Sequence, residues 1–280
     1  MHVGWHFLLT VFFHSGPVLA RASSSADEAG MIQPFRLPSD TSCTNLGEAL
    51  PFEKVCQCFE ALTKPAANRF QKEGMMKKLW MQYGKGVHDI FPLMRLTLPH
   101  LDTERPNYKL KHKNLARKYV DLLSLPDSSE DAQKMLNWKK PSAGFTRNEQ
   151  GNFPEVVYSV IKGRCTVTKG HITVGEVNAL LDELAQALNL EDKERVLMKM
   201  HTTTTAQEQR WLLRIILKDM HIGMKEDSIL TMLHADAKEL YNSVCDLHQT
   251  CLKCADPSYR LDQISVVRGC LLPLSASECA

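Results

Sequence analysis

QRWLLRIILKDMHIG, residues 209–223, decides how the chain is read. At about 100° per residue in a helix, Arg210, Arg214, Lys218 and His221 gather within roughly 80° of one another. Trp211, Leu212, Leu213, Ile215, Ile216, Leu217, Met220 and Ile222 cover most of the remaining circumference. The stretch predicts a buried helix with one exposed basic seam. A Thr205/Glu208 capping box starts it, and Gly223, whose missing Cβ suits a helix end and a close backbone approach, stops it. Like charges one turn apart repel by a few tenths of a kcal/mol per pair. An anion would relieve that repulsion, so the seam is expected to face an anionic partner.

Helical signals continue on both sides. Pro51 starts a helix with Phe52, Val55, Phe59 and Leu62 on one face. FPLMRLTLPHL forms a short helix held between Pro92 and Pro99, and NLARKYVDLLSLP places Leu115, Tyr119, Leu122 and Leu123 on one side before Pro126. Thr173 and Glu176 form a second capping box ahead of Val177, Leu180, Leu181, Leu184 and Leu188. Two more helices are expected in the tail, one through Ile229, Met232 and Leu233 and a longer one through Leu240, Val244, Leu247 and Cys251. Strand signals are limited to short runs such as CTVT, so the fold class is all-α.

A chain of 280 residues, 44% hydrophobic and 24% charged, is long enough to bury a sizeable core. The net charge of +2 implies no polyanionic partner by itself, so any electrostatic role rests on local clusters. Residues 1–22 form an apolar leader that loosely resembles a secretory signal. However, no Lys or Arg precedes its short apolar run, which His14 closes, and no Asn-x-Ser/Thr sequon occurs in the chain. Residues 23–50 read as a Ser-, Pro- and Gly-punctuated linker. Nine cysteines at irregular spacing fit reduced thiols better than a disulfide framework. No stretch approaches the roughly 18 apolar residues of a membrane span.

Familiar catalytic motifs are missing: there is no phosphate-binding Gly-x-x-x-x-Gly-Lys-Ser/Thr, Gly-x-Gly-x-x-Gly, His-Glu-x-x-His or Gly-x-Ser-x-Gly. Cys245, His248, Cys251 and Cys254 are metal-ligand types at intervals of three. On one continuous helix they fan over roughly 180° and do not converge, so no metal is expected. KLKHKNLARK, residues 109–118, is a second basic stretch that could grip phosphates but on charge alone reads first as a solvated face.

EQRWLLRIILKDMHIGM, together with FPLMRLTLPHLDTER, LARKYVDLLSLP and VNALLDELA, resembles the N-terminal DNA-binding domain of ATP-dependent DNA ligases, in their end-joining branch. The resemblance covers about residues 51–267 and leaves a divergent tail, 268–280. It implies a multi-helix domain that lies against the minor-groove side of nicked or broken duplex DNA and holds the backbone without reading bases. It further implies that Arg210, Arg214, Lys218, Gly223 and Met224 match the DNA-facing motif, with Lys113, Arg117 and Lys118 as secondary contacts. ATP and Mg²⁺ serve the full-length family, whose catalytic lysine lies in a Lys-x-Asp-Gly motif. This chain contains no Asp-Gly, so no catalytic residue and no cofactor are assigned to it. The resemblance thus implies a non-catalytic DNA-clamping part of a nuclear double-strand-break repair ligase, truncated before its catalytic domain. The alternatives are a regulatory fragment that binds end-joining proteins and, if the leader is a signal, a secreted helical protein.

Overall fold

The computed structural model describes residues 49–83, 89–140 and 144–261. The leader at 1–22, most of the linker, and the tail beyond 261, including the expected boundary at 267, lie outside them. Twelve helices and no strand occur among the described residues: α1 (Phe52–Thr63), α2 (Arg69–Tyr83), α3 (Phe91–Thr97), α4 (His112–Leu122), α5 (Glu130–Leu136), α6 (Phe153–Ile161), α7 (Val174–Gln186), α8 (Leu190–Thr203), α9 (Ala206–Leu217), α10 (Glu226–Leu233), α11 (Ala237–Val244) and α12 (Leu247–Cys254). The all-α class holds, and CTVT is loop.

The middle of the fold is α9, packed against α6 and α1. Trp211, 1% exposed, lies 5.1 Å ring to ring from Phe59, and its indole N–H donates to Glu60 Oε1 at 2.6 Å. A buried Trp needs such an acceptor. Phe52, Val55, Phe59 and Leu62 are all fully buried, as their spacing predicts. Pro51 sits at the N-cap, where its missing N–H costs nothing. An isolated bridge between Pro51 and Thr173 joins the start of α1 to that of α7, with Val174 N–H donating to Leu50 O at 2.8 Å. Around this centre α3 packs on α7 and α12, α4 on α5 and α8, and α10 on α2 and α11.

Both capping boxes form, at Thr173/Glu176 and Thr205/Glu208. Three helix ends differ from the sequence expectation, the first being α7, which stops at Gln186 and leaves Leu188, expected on its apolar face, exposed. The helix through the opening stretch stops at Leu217 rather than Gly223, because Lys218 turns left-handed at φ 57°. Lys218 N–H then donates to Ile215 O at 3.0 Å and Asp219 N–H to Arg214 O at 2.9 Å, a Schellman closure without glycine. The long tail helix is in fact two. Cys245, left-handed at φ 52°, ends α11, and Asp246 starts α12 by accepting from Gln249 N–H at 3.0 Å.

Glu208 shows what its cap costs. Oε2 accepts from Thr205 N–H at 2.8 Å and from its hydroxyl at 2.9 Å, but Oε1 is buried without a partner. Gly170 makes this close packing feasible, since a Cβ there would lie 2.5 Å from Oε1 and 2.9 Å from Glu53 Cβ. Burial pushes the Glu208 carboxyl above the ordinary glutamate value of 4.5, against the opposing pull of the Thr205 donors. A raised carboxyl binds its proton more tightly when folded, so its contribution is present at acid pH and lost as pH rises through the folded value. Glu208→Gln keeps an acceptor for Thr205 and removes the charge. Its stability relative to the parent is expected to climb from pH 4.5 upward and then level off, as measured by urea unfolding across pH; a gap that stays constant from pH 4 to 8 would contradict this.

Candidate nucleic-acid interface

The seam does not face solvent. Arg210 Nη1 pairs with Glu155 Oε2 at 2.9 Å, its Nη2 pairs with Glu60, and its guanidinium carbon lies 4.5 Å from the centre of the Tyr158 ring. Arg214, 7% exposed, reaches Glu155 Oε1 at 3.1 Å and Asn152 Oδ1 at 3.3 Å. One carboxylate on α6 therefore bridges both arginines, and a second on α1 takes the remaining arm of Arg210. The expectation of an exposed strip at Arg210 and Arg214 is corrected on this point: an anion does relieve the i,i+4 repulsion, and it is internal. Lys218 leaves the strip altogether, because the left-handed turn at its own position carries it off the helix.

That turn, residues 218–224, is the part of the motif that reaches the surface. Met220 and Ile222 are buried at 7% and 3%, whereas Asp219, His221 and Gly223 are exposed and Lys218 and Met224 half-buried. Three of its residues are left-handed: Lys218 (φ 57°), His221 (φ 48°) and Gly223 (φ 67°). Two of these carry side chains, and such conformations persist only where surrounding contacts hold them. The anchors are the two buried apolar side chains, the His221–Asp219 pair and Lys72 Nζ, which donates to Gly223 O at 3.2 Å. Lys72 lies on α2, 151 residues away in the chain and outside the motif, and the fold brings it to the turn. Burial lowers the Lys218 ammonium from its usual value, with Asp102 acting to raise it and Arg105 to lower it, so Lys218 is within electrostatic reach of the loop in FPLMRLTLPHLDTER.

Of the secondary residues, Lys113 is exposed and has no acidic partner among the described residues. Arg117 pairs with Asp127 at 2.8 Å and Asp121 at 3.2 Å, and Lys118 pairs with Glu194. The Cys/His run is likewise split. Cys245 is exposed at the helix break, Cys251 and Cys254 are buried, and His248 stacks on Phe91 with ring centres 4.2 Å apart. Burial raises both buried thiols, that of Cys254 to about 11. No group of three or more ligand-type side chains gathers among the described residues. No helix among them is long and apolar enough to cross a membrane.

A family model described as DNA ligase N terminus matches residues 51–234, from the start of α1 to the end of α10. The chain belongs to this ligase family. DNA ligase 4 of Cryptococcus neoformans is 40% identical over 228 residues, covering 81% of this chain and 21% of that protein. DNA ligase 4 of Homo sapiens is 34% identical over 242 residues (81% and 26%), and that of Arabidopsis thaliana 36% over 213 residues (76% and 17%). The chain thus spans about a quarter or less of the curated relatives it matches. Within the ligase N-terminal segment, the quoted motifs have separate structural roles. FPLMRLTLPHLDTER supplies α3 and the ionic loop after it, VNALLDELA supplies α7, against which that loop is pinned, and QRWLLRIILKDMHIG supplies the buried α9 and the exposed turn.

Proposed function

We propose that this chain provides the duplex-gripping helical part, from Pro51 onward, of a nuclear ATP-dependent DNA ligase that joins broken ends, and that the 218–224 turn meets the sugar-phosphate backbone. The observation that carries this reading is the turn itself, which spends backbone strain at Lys218 and His221 to present a cation, a histidine and a glycine on an anchored surface loop. In this proposal Lys218, Gly223 and Met224 lie at the DNA, and Lys113 adds a second cation. Arg210 and Arg214 act through position, fixing α9 beneath the turn, and Arg117 and Lys118 contribute less because carboxylates already hold them. The lack of a Lys-x-Asp-Gly means that ATP and Mg²⁺ have no nucleotide-accepting lysine here, and no step of strand sealing is assigned to these residues.

Phosphate contacts position a protein without specifying bases. Lys218→Glu is therefore expected to weaken binding to duplexes of unrelated sequence about equally, on the order of tenfold. The slope of log K against log salt should fall by about 0.9, one released counterion. Lys77→Glu/Lys78→Glu, exposed on α2, serves as the control. Anisotropy titrations between low and moderate salt provide the measurement; an unchanged affinity and slope for Lys218→Glu, with a normal melt, would remove the turn from the interface.

A further inference from the structure

Lys111, Lys113, Lys139 and Lys140 surround a cleft of about 390 Å³ between the start of α4 and the segment after α5. Other cations nearby are neutralised: Arg117 by Asp121 and Asp127, Lys118 by Glu194, and Arg164 by Asp131 at 2.5 Å. These four lysines have no acidic partner among the described residues, all four are exposed, and no acidic side chain lines the cleft. Its wall is aromatic. The half-buried Trp138 is stacked on His112 with ring centres 4.8 Å apart and an interplanar angle of 19°, and Phe153 meets its edge at 5.8 Å. Lys139 Nζ lies 5.2 Å from the centre of the Trp138 ring.

This combination is specific in chemistry. Lysines alone would suit any anion, and an aromatic wall alone any flat apolar group. Together they match a flat ring joined to a phosphate, as in single-strand binding, where bases stack on aromatic side chains and cations follow the backbone. The volume lies within the roughly 300–1,000 Å³ of small-molecule sites. A base inside a duplex is stacked and cannot reach such a wall, so the occupant must be unpaired. His112 covers one face of the indole, and Lys139, on a flexible stem, can yield the ring to a base while keeping its charge on the phosphate. We propose that this cleft is a subsite for one unpaired nucleotide, its base stacked on Trp138 and its phosphate held by Lys111, Lys113, Lys139 and Lys140. The proposal rests on the DNA-gripping reading above and deepens it: the turn holds duplex backbone, and the cleft takes a nucleotide that has left the duplex. The same chemistry fits a free mononucleotide.

The test uses the full chain with a blunt duplex, the same duplex carrying a four-nucleotide 3′ overhang, and dAMP. The parent is expected to bind the overhang at least about 5-fold more tightly than the blunt duplex, the low end of one base–aromatic stack. Trp138→Leu should remove this preference, and Lys139→Gln/Lys140→Gln should reduce it, while blunt binding stays within about 2-fold in each. If Trp138→Leu does not fold, the double glutamine variant, confined to exposed side chains, carries the test alone. Equal binding of both duplexes by the parent, or a preference unchanged in a folded variant, overturns the cleft and leaves the duplex grip standing. If the parent binds no duplex, the grip itself has failed, and dAMP decides the cleft. A Trp138 indole N–H shift with dAMP, absent from Trp138→Leu, keeps the site as one for a free nucleotide, and no shift overturns it.

Discussion

Glu155→Ala is expected to lower the unfolding free energy by about 3–5 kcal/mol, because it strips the shared carboxylate from two enclosed arginines. The side chains of Arg210, Arg214 and Glu155 are only 12%, 8% and 17% exposed. Water therefore cannot replace the lost anion, and both guanidinium Nε groups are already buried without acceptors. Glu60 still holds one arm of Arg210, which leaves Arg214 the more exposed to the loss, with only Asn152 Oδ1 at 3.3 Å. Replacing the whole set, Arg210→Met, Glu155→Leu and Arg214→Met, should recover most of the loss, since an apolar substitute for a buried ionic cluster is often neutral or better. Glu60 would then keep its bond from Trp211 Nε1 at 2.6 Å. Urea unfolding of the single and triple variants makes the measurement. If Glu155→Ala costs less than about 1 kcal/mol, the arginines are as well solvated as a surface pair, and the seam is open to phosphate after all.

The seam marks where sequence reading stops. Helical period shows which residues share a face but not what that face meets; here the partners of Arg210 lie 55 and 150 residues away, on α6 and α1. Features set within four residues were legible: the two capping boxes, Pro51 with its buried face, and the apolar side of α4. Helix ends at non-glycine left-handed residues were not. Gly223 is the stronger local stop signal, yet α9 ends at Leu217, where the left-handed Lys218 closes it, and Met220 and Ile222 are buried from the turn instead. The same blindness joined α11 to α12 across Cys245. For the proposed site, the motif contains the turn, but the Lys72 contact across 151 residues leaves no local trace. Trp138, Lys139 and Lys140 are adjacent in NWKKP, an aromatic–basic run not singled out from the sequence, and nothing local tells that His112 stacks against it.

Arg105→Ala is expected to cost about 3–5 kcal/mol as well, for a different geometric reason. Arg105, 1% exposed, donates from Nε to Asp182 Oδ1 at 2.6 Å and from its two terminal nitrogens to Asn178 Oδ1 and Asn178 O, each at 2.9 Å. Asn178, 7% exposed, passes the connection on by donating to Pro92 O at 2.9 Å. One guanidinium thus fastens the loop after α3 to the side chain, backbone and neighbouring carboxylate of α7. Alanine leaves Asn178 Oδ1 buried without a donor and its backbone oxygen with only the intrahelical bond, besides opening a cavity. Lysine keeps the charge but offers no planar fork, so Arg105→Lys should still lose about 1–3 kcal/mol. Asp182, with its side chain 40% exposed, can exchange its arginines for water, so Asp182→Asn should cost at most about 1 kcal/mol. That ordering, alanine worst, lysine intermediate and asparagine mildest, distinguishes a bidentate clamp from a simple charge pair, for which lysine would match arginine. Asp102 and Arg105 also act electrostatically on Lys218, so a shifted loop changes the charge environment of the 218–224 turn. Arg105→Lys, still folded, should therefore bind duplex more weakly than the parent with an unchanged salt slope, since no phosphate contact is removed. Denaturant unfolding and anisotropy on the same preparations check both statements; an Arg105→Lys variant as stable as the parent would show that charge alone holds the loop.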